Sequence, residues 1–157
     1  MRLLLLSWIY HNRLKFFLYA WIATVVFLPG MAVSSERLAV ISSKANIRSG
    51  PGTNYEVLWE VEKYHPVIIL ETKEKWCRFR DYEGDEGWIH RPMLGEINTV
   101  ITVKDKCNIR SEPGEKKPVV FTTEKGIPFK VLEKNDGWLH VQHADGDKGW
   151  VHPSLVW

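Results

Sequence analysis

"KANIRSGPG" at residues 44–52 returns as "KCNIRSEPG" at residues 106–114, and the interval between them, 62 residues, decides how the chain divides. The offset then holds without a gap. Asn46, Ile47, Arg48 and Ser49 map onto Asn108, Ile109, Arg110 and Ser111, and Pro51 and Gly52 map onto Pro113 and Gly114. Further along, Pro66 maps onto Pro128, Trp76 onto Trp138, and Gly87, Trp88 and His90 onto Gly149, Trp150 and His152. One unit of about sixty residues has been copied, so each half must contain a fold of that size.

Neither half has helical periodicity. Short apolar or alternating runs dominate instead: "VLWEV" 57–61, "PVIILET" 66–72, "WCRFRDY" 76–82 and "GWIH" 87–90, with turn clusters "SGPG", "TKEK" and "EGDEG" between them. The second unit repeats the plan with "VVFTT" 119–123, "IPFKVLE" 127–133, "WLHVQH" 138–143 and "GWVH" 149–152. About five strands in so short a unit, with no helix to cover a face, predict closure into a small barrel that hides its edges. Alternation places Ala45, Ile47, Val57, Val67, Ile69, Cys77, Phe79 and Ile89 inward in the first unit. Their partners are Cys107, Ile109, Val119, Phe129, Val131, Leu139, Val141 and Val151.

N-I-R-S-x-P-G, an apolar strand, W-x-x-F/V and then G-D-x-G-W-I/V-H closely resemble the bacterial SH3-domain family (SH3b). The resemblance covers about residues 37–95 and 99–157. It implies an all-β chain of two tandem small SH3-like β-barrels, and with it binding of cell-wall material, peptides or proteins outside the cytoplasm. Many such domains are targeting appendages of wall hydrolases. In this sequence no hydrolase segment follows Trp157, and neither cysteine sits in a recognisable nucleophile–base setting. The expectation is therefore a chain that is not an enzyme and acts by binding.

Residues 1–34 read as a signal peptide or N-terminal anchor: Arg2, Arg13 and Lys15 precede the apolar run "FFLYAWIATVVFLPGMAV". Small residues at Gly30, Ala32 and Ser34 favour cleavage, while the run is also long enough for a retained anchor. Either way the remainder is predicted to be exported, periplasmic or extracellular. The formal net charge of +2 belongs to this segment; without its three basic residues, 18 basic and 19 acidic residues remain. Such a balance offers no field for phosphate backbones and excludes nucleic acid as a leading partner. Cys77 and Cys107 can be core residues or, in an oxidising compartment, a disulfide.

The candidate ligand face combines Asn46, Arg48, Tyr55, Trp59 and Trp76 in the first unit. An outward asparagine can bond a peptide backbone in both senses, arginine can pair with a carboxylate, and the aromatics can wall a groove. The plainer use of Asn46 and Arg48 is local: each can bond the loop that follows its strand. The second unit, with Lys117 and Phe121 in place of Tyr55 and Trp59, is expected mainly to support the first. Asp81, Glu83, Asp85 and Glu86 lack the full calcium-loop pattern, and His140 and His143 lack partners for zinc, so no metal or cofactor is expected. The expected partner is wall (peptidoglycan) peptide. The alternative is an envelope protein, with the chain serving as scaffold or accessory subunit.

Overall fold

The computed structural model describes residues 36–157; the signal or anchor segment, and with it the expectation of export, lies outside them. The described chain is built of β-strands in two antiparallel sheets. In the first unit these are β1 (Arg37–Val40), β2 (Lys44–Arg48), β3 (Val57–Glu62), β4 (Pro66–Lys73), β5 (Trp76–Arg80), β6 (Glu86–His90) and β7 (Leu94–Gly95). A 3-10 turn at Arg91–Met93 precedes the last of them. In the second unit they are β8 (Thr99–Ile101), β9 (Cys107–Arg110), β10 (Val119–Thr123), β11 (Pro128–Asn135), β12 (Trp138–Gln142) and β13 (Lys148–Val151).

Strand order is β3-β2-β6-β5-β4-β1-β7 in one sheet and β10-β9-β13-β12-β11-β8 in the other. These are the same topology. Val40 pairs with Leu94 at the closing edge of the first sheet, and the bridge between Thr102 and Val156 repeats that contact 62 residues on. The main-chain bond from Ile69 N–H to Glu36 O likewise recurs from Val131 N–H to Asn98 O.

Each barrel closes on its own interior. Ile47, Val67, Phe79 and Ile89 are buried in the first, and the residues at the same offset, Ile109, Phe129, Val141 and Val151, are buried in the second. The repeated glycine of G-W-x-H has a steric reason: a Cβ on Gly87 or Gly149 would collide with the Cγ2 of Ile47 or Ile109 beneath it. The β11–β12 hairpin turns on Asp136 (φ 48°) and Gly137 (φ 79°), the two-residue left-handed turn that matches strand twist.

Alternation misplaces Val57 and Val119. Ile47 pairs with Trp59 but Arg48 with Val57, and Ile109 pairs with Phe121 but Arg110 with Val119, so Leu58 and Val120 are extra residues in β-bulges. Past a bulge the inside and outside positions exchange. Val57 and Leu58 are accordingly 42% and 46% exposed, Val119 and Val120 45% and 56%, while Trp59 and Val61, on the regular side of the bulge, stay inward. A second pair of bulges, at Leu70 and Leu132, bends β4 and β11 in the same way. Cys77 and Cys107 are buried free thiols, one in each barrel, and not a disulfide.

The barrels touch. Arg37 Nη2 donates to Trp157 O at 3.1 Å while its guanidinium lies 3.9 Å from the centroid of that indole, and Lys125 Nζ donates to Glu83 Oε1 at 2.6 Å.

Candidate functional site

The repeated arginine begins as a loop fastener. Arg48 Nη1 donates to the carbonyls of Tyr55 at 2.7 Å and Thr53 at 3.2 Å, and Arg110 Nη1 donates to the carbonyl of Lys117 at 2.6 Å. Ser49 N–H bonds Glu56 O as Ser111 N–H bonds Pro118 O, both at 3.0 Å. N-I-R-S-x-P-G thus encodes a strand whose last arginine turns back to close the loop that follows it.

On the outer face beside that loop, each barrel has a groove. In the first, Asn46, Arg48, Thr53, Trp76, His90 and Met93 line about 140 Å³. In the second, about 370 Å³ is lined by Asn108, Arg110, Glu115, Trp138, His152 and Leu155, together with Lys106 and Ser154. The first six of these are the first groove's residues displaced by 62 positions. Trp76 and His90 stand with ring centroids 5.2 Å apart, as do Trp138 and His152. His152 Nδ1 is further held by the Ser154 hydroxyl at 2.7 Å.

An indole and an imidazole side by side make an aromatic floor. The asparagine amide offers donors and an acceptor, and the guanidinium retains N–H groups beyond the nitrogen that closes the loop. Together they can hold an extended peptide by its backbone and pair with an acid group. Lys106 and Glu115 make the second groove more polar than the first, where Thr53 stands at the corresponding place.

The five residues singled out from sequence part company. Asn46, Arg48 and Trp76 meet in the groove. Tyr55 belongs to the loop: its ring packs over Gly50, and its carbonyl accepts the shorter of the two Arg48 bonds. Trp59 faces the barrel interior, edge-on to Phe79 at 6.5 Å, because its cross-strand partner is the buried Ile47. Its other contact is with the cleft between barrels. His90 and His152 were missed as groove residues although G-W-x-H ends both units, since a strand-end histidine carries no sign of which tryptophan it will meet.

The acidic cluster is a hairpin turn with its own partners. Asp81 Oδ1 accepts from the amides of Glu83 at 2.9 Å and Asp85 at 3.0 Å. Glu86 bonds Arg78 at 3.0 Å and Arg80 at 2.7 Å, and the Arg80 bond foremost holds its carboxyl below the ordinary range. The bond from Lys125 does the same for Glu83. His140 lies 3.3 Å from Glu133 and His143 2.8 Å from Asp145. Among the described residues no group of three or more such side chains is arranged to hold a metal ion.

A family model described as Bacterial SH3 domain matches residues 42–96 and 103–157. YrvJ of Bacillus subtilis (strain 168), which carries the name of an N-acetylmuramoyl-L-alanine amidase, is 26% identical over 128 residues, 74% of this chain and 24% of that protein. LytH of Staphylococcus epidermidis, which carries the name of a cell wall amidase, is 38% identical over 52 residues, 32% of this chain and 18% of that protein. The chain thus spans about a quarter or less of the length of these relatives. Among solved structures, NlpC2 from Trichomonas vaginalis is similar with a TM-score of 0.36 and 17% identity, over 79% of this chain and 48% of that one. An NlpC/P60 family protein from Bacillus cereus gives 0.38 and 12%, over 78% and 56%. These two scores are too low to carry an argument.

The expectation that the chain is not an enzyme is corrected by the relatives: the proteins that share its repeated unit are named as amidases. The family itself follows from the matched residues, which cover most of the sequence and fall on the two copies of the unit. This chain belongs to the bacterial SH3 domain family, with two copies of the domain in tandem.

Proposed function

We propose that the two grooves bind peptidoglycan, each taking a segment of wall peptide, and that the paired barrels keep a wall-hydrolysing activity on its polymeric substrate. The observation that carries the reading is the recurrence of Asn, Arg, Trp and His around a groove in both copies. The names of the relatives supply the substrate class. In this reading residues 37–95 and 99–157 are the two binding domains, and the N-terminal segment delivers them to the envelope. Two weak sites joined by a short connection gain avidity on a polymer that repeats its own epitope, because the second contact becomes intramolecular.

The test is retention of the purified full chain on isolated peptidoglycan at low salt. Asn46→Ala with His90→Ala should weaken retention, and adding Asn108→Ala with His152→Ala should abolish it, with circular dichroism verifying the fold. Absence of retention by the unaltered chain, or full retention by the four-site variant, would refute the proposal. Capture of an envelope protein in place of wall material would favour a scaffold.

A further inference from the structure

The two grooves repeat their asparagine, arginine, tryptophan and histidine but not their distribution of charge. In the first copy Lys44, Asn46 and Arg48 alternate along β2, and in the second Lys106, just before β9, precedes Asn108 and Arg110 at the same spacing. Alternation puts each set on one face, with the asparagine in the middle. Lys106 lines the second groove, whereas Lys44 is not among the residues that line the first.

The difference starts on the neighbouring strand. Asn46 pairs across with Glu60, whose Oε2 lies 3.7 Å from Lys44 Nζ, so a carboxylate of β3 compensates the lysine. In the second copy Asn108 pairs with Thr122, which carries no charge and donates its hydroxyl to Asn108 Oδ1 at 3.2 Å. Glu62 opposite Lys44 has its counterpart in Glu124, so the exchange of Glu60 for Thr122 leaves the Lys106 end short of one negative charge. Among the described residues the lysines in ion pairs are Lys44, Lys117 and Lys125, and Lys106 is not one of them. At the other end of the row Glu115 enters the second groove from the loop that Arg110 closes, where the first copy has the neutral Thr53. The uncompensated cation thus stands at the arginine end of the first groove and at the lysine end of the second.

We propose that the second groove binds a free carboxylate of an extended peptide through Lys106, and that Lys44 has no such part in the first. The proposal rests on the reading of the grooves as peptide sites and adds which residue of the second one reads the acid group. The Lys106 ammonium supplies three N–H donors, and the Asn108 amide keeps its own two for a ligand carbonyl. Two residues of strand separate them by roughly 7 Å, so a carboxylate at Lys106 leaves the ligand backbone about two residues back within reach of Asn108. Glu115 repels an acid group at the arginine end and so gives the bound peptide its direction.

The experiment is an NMR titration of the full chain with soluble peptidoglycan fragments, and with the same fragments after amidation of their carboxyl groups, following the indole N–H resonances of Trp76 and Trp138. Lys106→Met should weaken binding of the acid form at Trp138 about two- to fivefold at low salt, the range of a solvent-accessible ion pair, and leave the amidated form unchanged. Lys44→Met should leave both forms unchanged at Trp76. Glu60→Thr, which copies the residue of the second barrel into the first, should tighten the acid form at Trp76 by a similar factor. All three side chains are exposed, and a thermal melt verifies the fold. An equal effect of Lys106→Met on the two forms, an equal loss at Trp76 from Lys44→Met, or no gain from Glu60→Thr would each overturn the proposal. If neither indole resonance moves, the groove reading falls and this proposal with it; if both move and Lys106→Met treats acid and amide alike, only the proposal fails.

Discussion

The loops at residues 49–56 and 111–118 are closed by corresponding hydrogen bonds but differ in backbone, Gly114 alone standing at positive φ (132°), and in how side chains support them. In both, an arginine from the preceding strand holds a loop carbonyl and a serine amide closes the loop's base. In the first, Gly50 lies beneath the ring of Tyr55, where a Cβ would overlap the ring. In the second, Glu112 stands at the glycine's place and Lys117 at the tyrosine's, and the two form a 2.6 Å ion pair. The exchange is therefore coupled: a stacked ring over a bare backbone has become a salt bridge, with the bonds that close the loop's base kept and the Arg48 bond to Thr53 O and the Gly52 N–H bond to Gly50 O without counterparts. What the two copies share is the frame that shapes the groove, and what they vary is its rim.

The coupling can be broken by moving one residue across. Gly50→Glu alone forces the Tyr55 ring off its seat and should cost about 1–3 kcal/mol, as overpacking does. Adding Tyr55→Lys should recover much of that loss, with a coupling energy of about 1 kcal/mol from a double-mutant cycle in urea. Additive effects would show that the two positions do not share a solution.

Next in size is the arginine itself. Arg48→Ala removes two hydrogen bonds to carbonyls and should cost about 1–2 kcal/mol, whereas Arg110→Ala removes one and should cost about half as much. Hydrogen exchange at Ser49 and Ser111 would locate the loosening. Equal costs would contradict the difference between the copies.

Smaller again is the ion pair. Lys117→Met should destabilise by about 0–1 kcal/mol at low salt and by less at high salt, since both partners are solvent-accessible. No salt dependence at all would mean that the pair is held by packing.

The last comparison sets His65 against Ile127 and is confined to acid. Because burial depresses the folded-state pKa of His65, the unfolded chain takes up a proton that the folded chain refuses. Its contribution is intact above the unfolded value near 6.5 and is lost as the pH falls through the folded one. His65→Ile should remove this part of the acid destabilisation, leaving carboxylates such as Glu83 and Glu86 to govern the rest. An unchanged acid limb in urea titrations from neutral pH downward would show that the imidazole protonates freely in the folded state.

Repeat and turn signals were enough to read two barrels, because Ile47, Phe79 and Ile89 and their partners at the same offset are buried in both copies. The strand after each NIRS loop was only half legible. A bulge is an extra backbone residue with no letter of its own, so nothing in "VLWEV" or "VVFTT" says that the valine at its head will face solvent. Trp59 lies two residues past Val57, on the inward side that alternation from Val57 already gave it, so its place in the groove conflicted with the strand's own pattern. Of the groove, Asn46, Arg48 and Trp76 could be read from alternation along single strands, whereas His90 meets Trp76 only through the pairing of β5 with β6. The inter-barrel cleft was illegible for a stronger reason: it depends on how two closed units pack, which neither unit's pattern encodes.

The most direct measurement is a titration of the full chain with soluble peptidoglycan fragments, following the indole N–H resonances of Trp76 and Trp138. Two grooves built on the same Asn, Arg, Trp and His predict that both resonances move and that saturation requires two fragments per chain. Movement of neither, or of other tryptophans in their place, would contradict a groove built twice from the same residues.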